Sequence, residues 1–365
     1  AAGLRGMGGA GFPTGVKWEM VRKETAATKY VICNADESEP GTFKDRVVLA
    51  DLSHLVIEGM ALAALTVGAT RGWVFIRHEY EPERQALQTA IDDAYARGAL
   101  GRGIFGSAMD FELEIFVSPG GYILGEETAL LECMEDKRGE PRNKPPFPGQ
   151  QGLWGKPTLI NNVETFAHAV GIIGMGEAWW KSLGTSGFAG HKFISVSGDV
   201  ATPGVHLVPT GTTLRELLAR CGGMKDGKRL IAIAPGGASS NFLPPAKLDV
   251  PLDFKTLTDA GSMLGSGAAV FVGAGADLLA IGVNVATFFR NESCGKCVPC
   301  RVGSEKAVAL LAGRTSVPVG GDALLKELNE TMYLTSICGL GQVALGPLLS
   351  ILANFPDDIR RDAKP

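Results

Sequence analysis

The stretch KYVICNADESEPGTFKDR, residues 29–46, indicates the class of fold, because an apolar run passes directly into a polar, acidic loop. Short apolar runs bounded by turn residues are typical of buried β-strands. Outward from this stretch, strand and helix patterns alternate: a helix at 53–69, a strand at 71–80, a helix at 82–100, a strand at 111–119 and a helix at 125–139. This alternation predicts an α/β fold with a parallel sheet covered on both faces. Ligands of such sheets bind beyond the carboxyl ends of the strands, here at the loops 33–46 and 118–130.

Two further segments with different patterns come after the α/β part of the sequence. Short strand patterns at 192–200, 204–210, 229–237 and 268–273 surround one helical pattern at 213–221. They predict a small β-grasp-like domain. From Asp277 onward only helical periodicity remains, at 277–293, 303–313, 322–333 and 342–355. We therefore expect three domains, with bounds 1–185, 188–274 and 277–365.

Composition excludes several classes of protein. Hydrophobic residues make up 45% of the 365 residues and charged residues 20%, as in ordinary globular proteins. The net charge of −4 argues against nucleic acid as the main partner. The longest apolar stretch, 268–289, is interrupted by Asp277 and by glycines, which argues against a membrane span. With no visible signal peptide, we expect a cytoplasmic protein that lacks part of its native N-terminus.

The cysteines fall into two groups. Cys33, Cys133 and Cys221 stand alone in apolar surroundings and are expected to be small buried hydrophobes. The other four form C-x2-C-x2-C with a remote fourth thiol, at Cys294, Cys297, Cys300 and Cys338. This spacing suits a [4Fe–4S] cluster better than zinc, whose ligands usually come as two pairs or with histidines. No histidine lies in the last 150 residues, which excludes a Cys/His zinc site there. A zinc site made by the thiols alone, or thiols without a metal, is the alternative.

Glycine is the compositional outlier, at 49 residues against a usual share of about 7%. Gly6, Gly8 and Gly11 satisfy G-x-G-x-x-G, the pattern of loops that hold dinucleotide phosphates. That pattern requires a preceding strand, and the few residues before Gly6 cannot supply one. An iron–sulfur cluster passes single electrons and implies a partner redox centre, so the glycine-rich loop is a candidate nucleotide site.

Five long motifs, in order, carry a family resemblance: residues 4–18, 33–46, 121–132, 144–167 and 292–301. Together they resemble the flavoprotein family of the 51-kDa NADH-binding subunit of respiratory complex I. That family includes the diaphorase subunits of NAD-linked hydrogenases and the β subunits of NAD-dependent formate dehydrogenases. The resemblance implies a Rossmann-like FMN/NAD domain, a β-grasp (SLBB-like) domain and a helical bundle that carries [4Fe–4S]. The activity it implies is hydride exchange between NAD(H) and FMN, followed by one-electron steps through the cluster.

The resemblance also implies site residues. FMN would lie in a cavity lined by Gly6, Gly8, Gly9, Lys17, Asn34, Asp36, Tyr122, Gly125, Asn161, Asn162 and Thr165. NAD(H) would be bound by Phe12, Glu37, Glu39, Glu127, Lys144 and Phe147. Glycines let backbone N–H groups approach a phosphate, a lysine balances its charge, and aromatic rings flank adenine. No side chain is expected to act as a general acid or base.

Each motif also has a structural alternative. The glycine loop could be a mobile terminus, the acidic residues 36–39 a solvated turn, and residues 144–148 a polyproline linker. Asn161 and Asn162 could cap the helix that follows them, and Phe12 and Phe147 could be ordinary packing residues. The sequence departs from the family pattern at Met7, Leu124 and Met20. Met20 stands where some members of the family have a second aromatic residue against adenine, so the sequence does not supply that second contact.

The segment 336–352 around Cys338 resembles formate dehydrogenase β subunits and some hydrogenase subunits more than complex I, and among these we favour the formate dehydrogenase β subunit. The resemblance then implies two partners: a small thioredoxin-like [2Fe–2S] γ subunit and a molybdenum-containing α subunit that oxidises formate. A complex I subunit and a hydrogenase diaphorase are the alternatives within the family. A non-catalytic iron–sulfur scaffold that binds nucleotide is the alternative outside it.

Overall fold

The computed structural model describes residues 1–185 and 187–363. The described part divides into two compact units. The first comprises 1–38, 43–193 and 207–210, and the second comprises 39–42, 194–206 and the residues from 211 onward. The predicted division into three domains stays a prediction, and the last two residues of its helical domain lie outside the described residues.

The first unit contains a four-stranded parallel sheet, and its helices lie before, between and after the strands in the sequence. Its strands are β1 (Tyr30–Ala35), β2 (Arg71–Arg77), β3 (Glu112–Ser118) and β4 (Thr158–Asn162), in the order β3-β2-β1-β4. Its helices are α1 (Thr14–Lys23), α2 (Lys44–Asp51), α3 (Ser53–Val67), α4 (Glu81–Ala96), α5 (Glu127–Met134), α6 (Pro148–Gln151), α7 (Val163–Met175) and α8 (Glu177–Ser182). The predicted parallel α/β sheet is therefore confirmed.

All four strands of this sheet run in one direction, so their carboxyl ends meet along one edge. Asn34, Asp36, Ser118 and Asn162 stand at or just beyond those ends. The middle residues of the strands are apolar and are buried; in β1, Val31, Ile32 and Cys33 are fully buried. The edge is consequently where polar side chains of this unit gather.

The second unit combines a small sheet with a set of helices. The sheet has the order β6-β5-β8-β7, formed by β5 (His191–Gly198), β6 (Gly204–Pro209), β7 (Leu230–Ala234) and β8 (Ala268–Gly273). Residues 191–193 of β5 and 207–209 of β6 belong to the first unit. Strand β5 pairs parallel with β8, and β7 pairs antiparallel with it. The helices are α9 (Leu214–Arg220), α10 (Phe254–Asp259), α11 (Leu278–Asn291), α12 (Val298–Leu311), α13 (Gly321–Thr335), α14 (Gly339–Val343) and α15 (Gly346–Asn354).

Several local expectations need correction. Helix α2 begins inside the loop predicted at 33–46, and the helical pattern at 342–355 is divided, because Gly346 and Pro347 begin a new helix there. Cys33 and Cys221 are buried as expected, but the expectation for Cys133 was wrong. It lies within α5, is only half-buried at the border of the core, and the pKa of its thiol is raised, mainly by burial.

Within the described residues, no single helix has the length and apolar composition needed to cross a membrane. The pair α2 and α3 meets those criteria only when taken together, across a bend of 94°.

Candidate flavin and iron–sulfur sites

Backbone hydrogen bonds join the two ends of the glycine loop, which argues against its interpretation as a mobile terminus. Gly6 N donates to Phe12 O at 2.8 Å, and Thr14 N donates to Leu4 O at 2.9 Å, so the loop is closed at its base. It leads directly into α1, not out of a strand, which agrees with the non-standard start seen in the sequence. A side chain at Gly8 would place its Cβ 3.0 Å from Asn162 Cβ. The loop therefore lies against the end of β4, and glycine at position 8 permits this close approach because a side chain there would crowd Asn162.

Lys17, on the first helix, brings a positive charge to the same edge. Its Nζ donates to Ile160 O at 3.0 Å and to Glu127 Oε2 at 3.2 Å. Lys144 Nζ contacts Glu127 Oε1 at 3.0 Å and Glu126 Oε1 at 2.7 Å. Burial alone would raise the pKa of Glu127, but Lys17 and Lys144 outweigh it and lower that pKa. Glu127 is thus an ionised carboxylate held between two ammonium groups.

Asn34 and Asp36 lie at the end of β1. Asn34 Nδ2 donates to Gly125 O at 2.9 Å, and Asn34 Oδ1 accepts from Asp36 N at 3.1 Å. Asp36 is 7% exposed, and within the described residues neither of its carboxylate oxygens has a hydrogen bond of good geometry, although the nearby Ser118 and Ser38 hydroxyls act to lower its pKa. Burial raises the pKa of Asp36 to about 7, although the charge of Arg77 opposes the rise. A buried acceptor at this edge is what a ligand rich in hydroxyl donors would satisfy.

Asn161 and Asn162 point to different partners. Asn161 Oδ1 accepts from Trp18 Nε1 at 2.8 Å, whereas Asn162 Oδ1 accepts from Glu164 N at 3.0 Å and caps α7. The capping alternative is therefore observed for Asn162. The buried Asp36 oxygens, the glycine loop, where a side chain at Gly9 would meet nothing within 4 Å, and the Lys17 ammonium are groups that fit a flavin with a phosphate.

The remaining nucleotide-site candidates differ in environment. Glu37 is buried, and its carboxylate accepts from Asp45 N at 2.8 Å, from Arg46 N at 3.2 Å and from the Tyr80 hydroxyl at 3.0 Å. It thereby caps α2, and burial raises its pKa. Phe12 and Phe147 are 45% and 47% exposed. Tyr122 lies half-buried in a short 3-10 turn, and Thr165 Oγ1 accepts from Met7 N at 2.9 Å.

Glu39 belongs to the second compact unit, unlike the other predicted site residues of the flavin and nucleotide sets. There its Oε1 accepts a hydrogen bond from Ser239 N at 2.6 Å, and Glu39 O accepts from Thr42 N at 2.9 Å. Its predicted role in binding NAD(H) stays a prediction.

Three of the four cysteines of the C-terminal segment lie at the starts of two helices, and Cys294 lies in the loop before α12. Cys297 is the residue before α12, Cys338 is the residue before α14, and Cys300 is buried in the first turn of α12. Burial raises the pKa of Cys300, and the nearby Cys297 and Cys294 thiols raise it further. The thiols of Cys294, Cys297 and Cys300 are therefore close together.

Cys338 approaches the same place through its helix. A Cβ added to Gly341 would lie 3.0 Å from Cys300 Cβ and 2.4 Å from Ser336 Oγ. The Ser336 hydroxyl is buried and has no partner in the described part of the chain. Four thiols without a histidine, beside a buried hydroxyl that lacks an acceptor, suit an iron–sulfur cluster.

Within residues 1–185 and 187–363, no three His, Cys, Asp or Glu side chains lie close enough together to bind one metal ion. A cubane cluster takes one thiolate at each iron corner, so its ligands stand farther apart than those of a single ion. The cysteine arrangement is thus compatible with a cluster and gives no support to a single-ion site.

Sequence reasoning missed a group of buried charges behind the glycine loop. Lys44, Asp45, Glu164 and Lys192 are each at most 3% exposed, and Lys44 Nζ contacts Asp45 Oδ1 at 2.6 Å and Glu164 Oε2 at 2.9 Å. The signal available in the sequence was a charged residue inside an apolar pattern, as in KFISV and VETFA. Such residues are usually on the surface, so the signal was weak.

Comparison with known proteins defines the class. Residues 1–178 match the model of the Nuo51 FMN-binding domain, 193–242 match the SLBB domain, and 281–362 match the NADH-ubiquinone oxidoreductase-F iron–sulfur binding region. The molecule is accordingly an FMN- and [4Fe–4S]-binding protein of the NADH-binding type. This finding confirms the predicted fold class and the predicted cofactors FMN, [4Fe–4S] and NAD(H).

The relatives place the chain more narrowly. It is 45% identical over 368 residues to the F component of the NADH-quinone oxidoreductase of Escherichia coli, covering 100% of this chain and 83% of that protein. It is 43% identical over 361 residues to the HndC component of the NADP-reducing hydrogenase of Solidesulfovibrio fructosivorans, covering 98% of this chain and 73% of that protein. The chain belongs to this family of NADH dehydrogenase and hydrogenase diaphorase subunits.

A solved structure agrees with the family. A chain of the H2-reduced NAD+-reducing [NiFe]-hydrogenase superimposes with a TM-score of 0.88 at 38% identity and covers 98% of this chain. The present chain spans only 60% of that hydrogenase chain.

Proposed function

We propose that this chain is the diaphorase subunit of a larger oxidoreductase, exchanging electrons between NAD(H) and an iron–sulfur chain. The observation that supports it most is the combination, in one polypeptide, of a region that matches an FMN-binding domain and a cysteine-bearing region that matches an iron–sulfur binding region. Nicotinamide carries two electrons together and an iron–sulfur cluster carries one. Bound FMN supplies the conversion between the two.

Within this proposal the protein mainly binds and orients. The glycine loop and the Lys17 ammonium would hold the flavin and its phosphate, while the Asp36 carboxyl would accept from ligand hydroxyls. Hydride transfer depends on the distance and alignment of the two reacting rings more than on a strong base. Accordingly, we assign no general acid or base.

Glu127 and Lys144 are proposed to bind NAD(H). Glu127 is an ionised acceptor whose two oxygens already face the Lys17 and Lys144 ammonium groups. A dinucleotide that bonds Glu127 through its hydroxyls would join an existing charged set, with Lys144 free to turn toward a phosphate. Phe12 and Phe147, both about half exposed, would offer apolar faces to adenine.

For the parent complex, we propose the β subunit of an NAD-dependent formate dehydrogenase. The support is the sequence around Cys338, residues 336–352. The partners would be a thioredoxin-like [2Fe–2S] γ subunit and a molybdenum-containing α subunit. The identified relatives are subunits of NADH-quinone oxidoreductases and of a hydrogenase, so those two complexes are the alternatives.

The diaphorase assignment is tested with the anaerobically purified, FMN-loaded chain. NADH should reduce ferricyanide, acid-released flavin should be FMN, and iron should approach four atoms per chain. Loaded protein that binds NADH without turnover would refute the assignment and favour a non-catalytic scaffold.

The parent complex is tested with the native assembly. Formate-dependent NAD+ reduction and co-purification of a molybdenum protein are expected. Hydrogen-dependent NAD+ reduction by an assembly inactive with formate would refute the formate dehydrogenase assignment in favour of a hydrogenase. Co-purifying membrane subunits would refute it in favour of complex I.

A further inference from the structure

The peptide group at Met7 is held from both sides, although Met7 itself replaces the residue common at this point of the family loop. Its N–H donates to Thr165 Oγ1 at 2.9 Å, and its C=O accepts from Lys192 Nζ at 3.2 Å. Thr165 lies on α7 and Lys192 on β5, in the same compact unit as the loop. Two elements distant in sequence therefore fix the direction of one loop peptide.

Lys192 owes its own position to a buried carboxylate. Lys192 is 3% exposed, and its Nζ lies 2.9 Å from Oε2 of Glu164, which has no measurable exposure. Glu164 Oε1 in turn accepts from Phe193 N at 2.8 Å. A lysine buried to this extent costs free energy unless its charge is paired and its N–H groups are bonded. Here the Met7 carbonyl is one of those required acceptors.

The same carboxylate connects the loop to Asn162. Glu164 Oε2 also contacts Lys44 Nζ at 2.9 Å, and Lys44 Nζ lies 3.3 Å from Asn162 Oδ1. Asn162 Nδ2 donates to Asp45 Oδ2 at 2.6 Å. Both walls of the narrow space at Gly8, the loop on one side and Asn162 on the other, are thus bonded to one group of buried charges.

We propose that Lys192 is a positioning residue of the flavin site: it joins Glu164 to the Met7 carbonyl, so that the loop Gly6–Gly9 is fixed opposite Asn162 with a positive charge behind it. The proposal rests on the FMN site and does not depend on which complex the chain serves. Lys192 does not contact the reacting atoms; it acts through the loop. The charge also has a defined effect, because loss of the Lys192 ammonium would leave the negative Glu164 carboxylate less compensated near the loop and would disfavour the reduced, more negative form of a flavin.

The test uses the full-length chain with Lys192→Met, which keeps the length of the side chain and removes the charge and the donor. We expect FMN to bind at least tenfold more weakly than in the unsubstituted chain. We also expect the bound flavin to have a lower midpoint potential. A tenfold larger loss for reduced than for oxidised FMN would lower a two-electron potential by about 30 mV.

The matched control is Lys29→Met. Lys29 is also buried, at 7% exposure, but its Nζ donates to Val21 O and Arg22 O at the end of α1. This variant should be less stable to unfolding than the unsubstituted chain, but the midpoint potential of its bound flavin should be unchanged. Equal effects of the two variants on the potential would overturn the proposal, because they would reflect general destabilisation.

A second variant covers the case in which Lys192→Met does not fold. Lys192→Gln keeps an N–H donor for Met7 O and removes only the charge, so FMN should still bind while the potential falls. A folded Lys192→Met or Lys192→Gln with native FMN affinity and native potential overturns the proposal. Loss of FMN together with normal iron content leaves the cluster intact and so separates this outcome from failure of the proposed function.

Discussion

Replacing Asp36 by Asn should remove a pH-dependent weakness of the flavin-free protein. Asp36 is buried, and burial raises its pKa to about 7, although the nearby Ser118 and Ser38 hydroxyls act to lower it. The positive charge of Arg77 opposes this rise and the negative charge of Glu79 adds to it. Without a ligand, the folded chain therefore prefers the neutral carboxyl well above the pH at which a free aspartate ionises.

The magnitude follows from the two pKa values. The rise from 3.8 to about 7 corresponds to about 4 kcal/mol, at about 1.4 kcal/mol for each pH unit. Because the folded-state pKa is the higher one, the stabilisation is complete below pH 3.8 and is lost as pH rises through about 7. Between pH 5 and pH 8 the unmodified chain should lose about 3 kcal/mol of unfolding free energy relative to Asp36→Asn. Glu37 titrates in both proteins, so the difference between them isolates Asp36.

The assay is urea unfolding of flavin-free protein at pH 5 and pH 8, followed by tryptophan fluorescence. All five tryptophans belong to the first compact unit, which also holds Asp36: Trp18, Trp73, Trp154, Trp179 and Trp180. The signal therefore reports the unfolding of that unit. Asp93→Asn, at an exposed position of α4, is the control and should leave the pH dependence unchanged. An Asp36→Asn protein whose stability changes with pH as much as that of the unmodified chain would refute the reasoning.

Three further outcomes are expected. Glu127→Gln should raise the KM for NADH severalfold with FMN content retained, since it weakens binding and not chemistry; a normal KM with a collapsed kcat in steady-state assays would contradict the assigned role. Cys300→Ser should abolish the cluster spectrum and lower iron content while FMN stays bound, and full retention of iron would exclude Cys300 as a ligand. Glu164→Gln should destabilise the first unit by about 3–5 kcal/mol in the tryptophan assay, because it leaves buried lysines without their partner. The exposed-pair control Glu114→Gln should cost less than about 1 kcal/mol, and equal losses would argue against a buried network.

The elements that could be predicted from sequence are those whose own residues carry the pattern. Strand β1 has three consecutive apolar residues, 31–33, that are all buried, and α3 has an apolar face, so both elements could be predicted from the sequence. Helix α2 was not, because its start at Lys44 is polar and its cap comes from the Glu37 side chain. Capping by a residue outside the helix depends on tertiary structure that a local pattern does not contain.

The candidate site divides in the same way. Residues at the carboxyl ends of strands, such as Asn34 and Asp36, could be predicted as site residues because a parallel sheet brings those ends together. Lys192 was not, because it lies about 180 positions from the glycine loop in a strand of ordinary appearance. Only the fold reveals that its Nζ meets the Met7 carbonyl.

The closed glycine loop transfers an entropic cost from ligand binding to folding. Fixing a residue's backbone costs roughly 1–2 kcal/mol, and the hydrogen bonds between Gly6 and Phe12 and at Met7 fix this loop without any ligand. A flavin then spends little of its binding free energy on ordering the protein. Its apparent affinity instead scales with the fraction of molecules in which the loop is closed. A destabilising substitution in the core of the first unit would thus appear first as a flavin-depleted preparation, even where it touches no residue of the site.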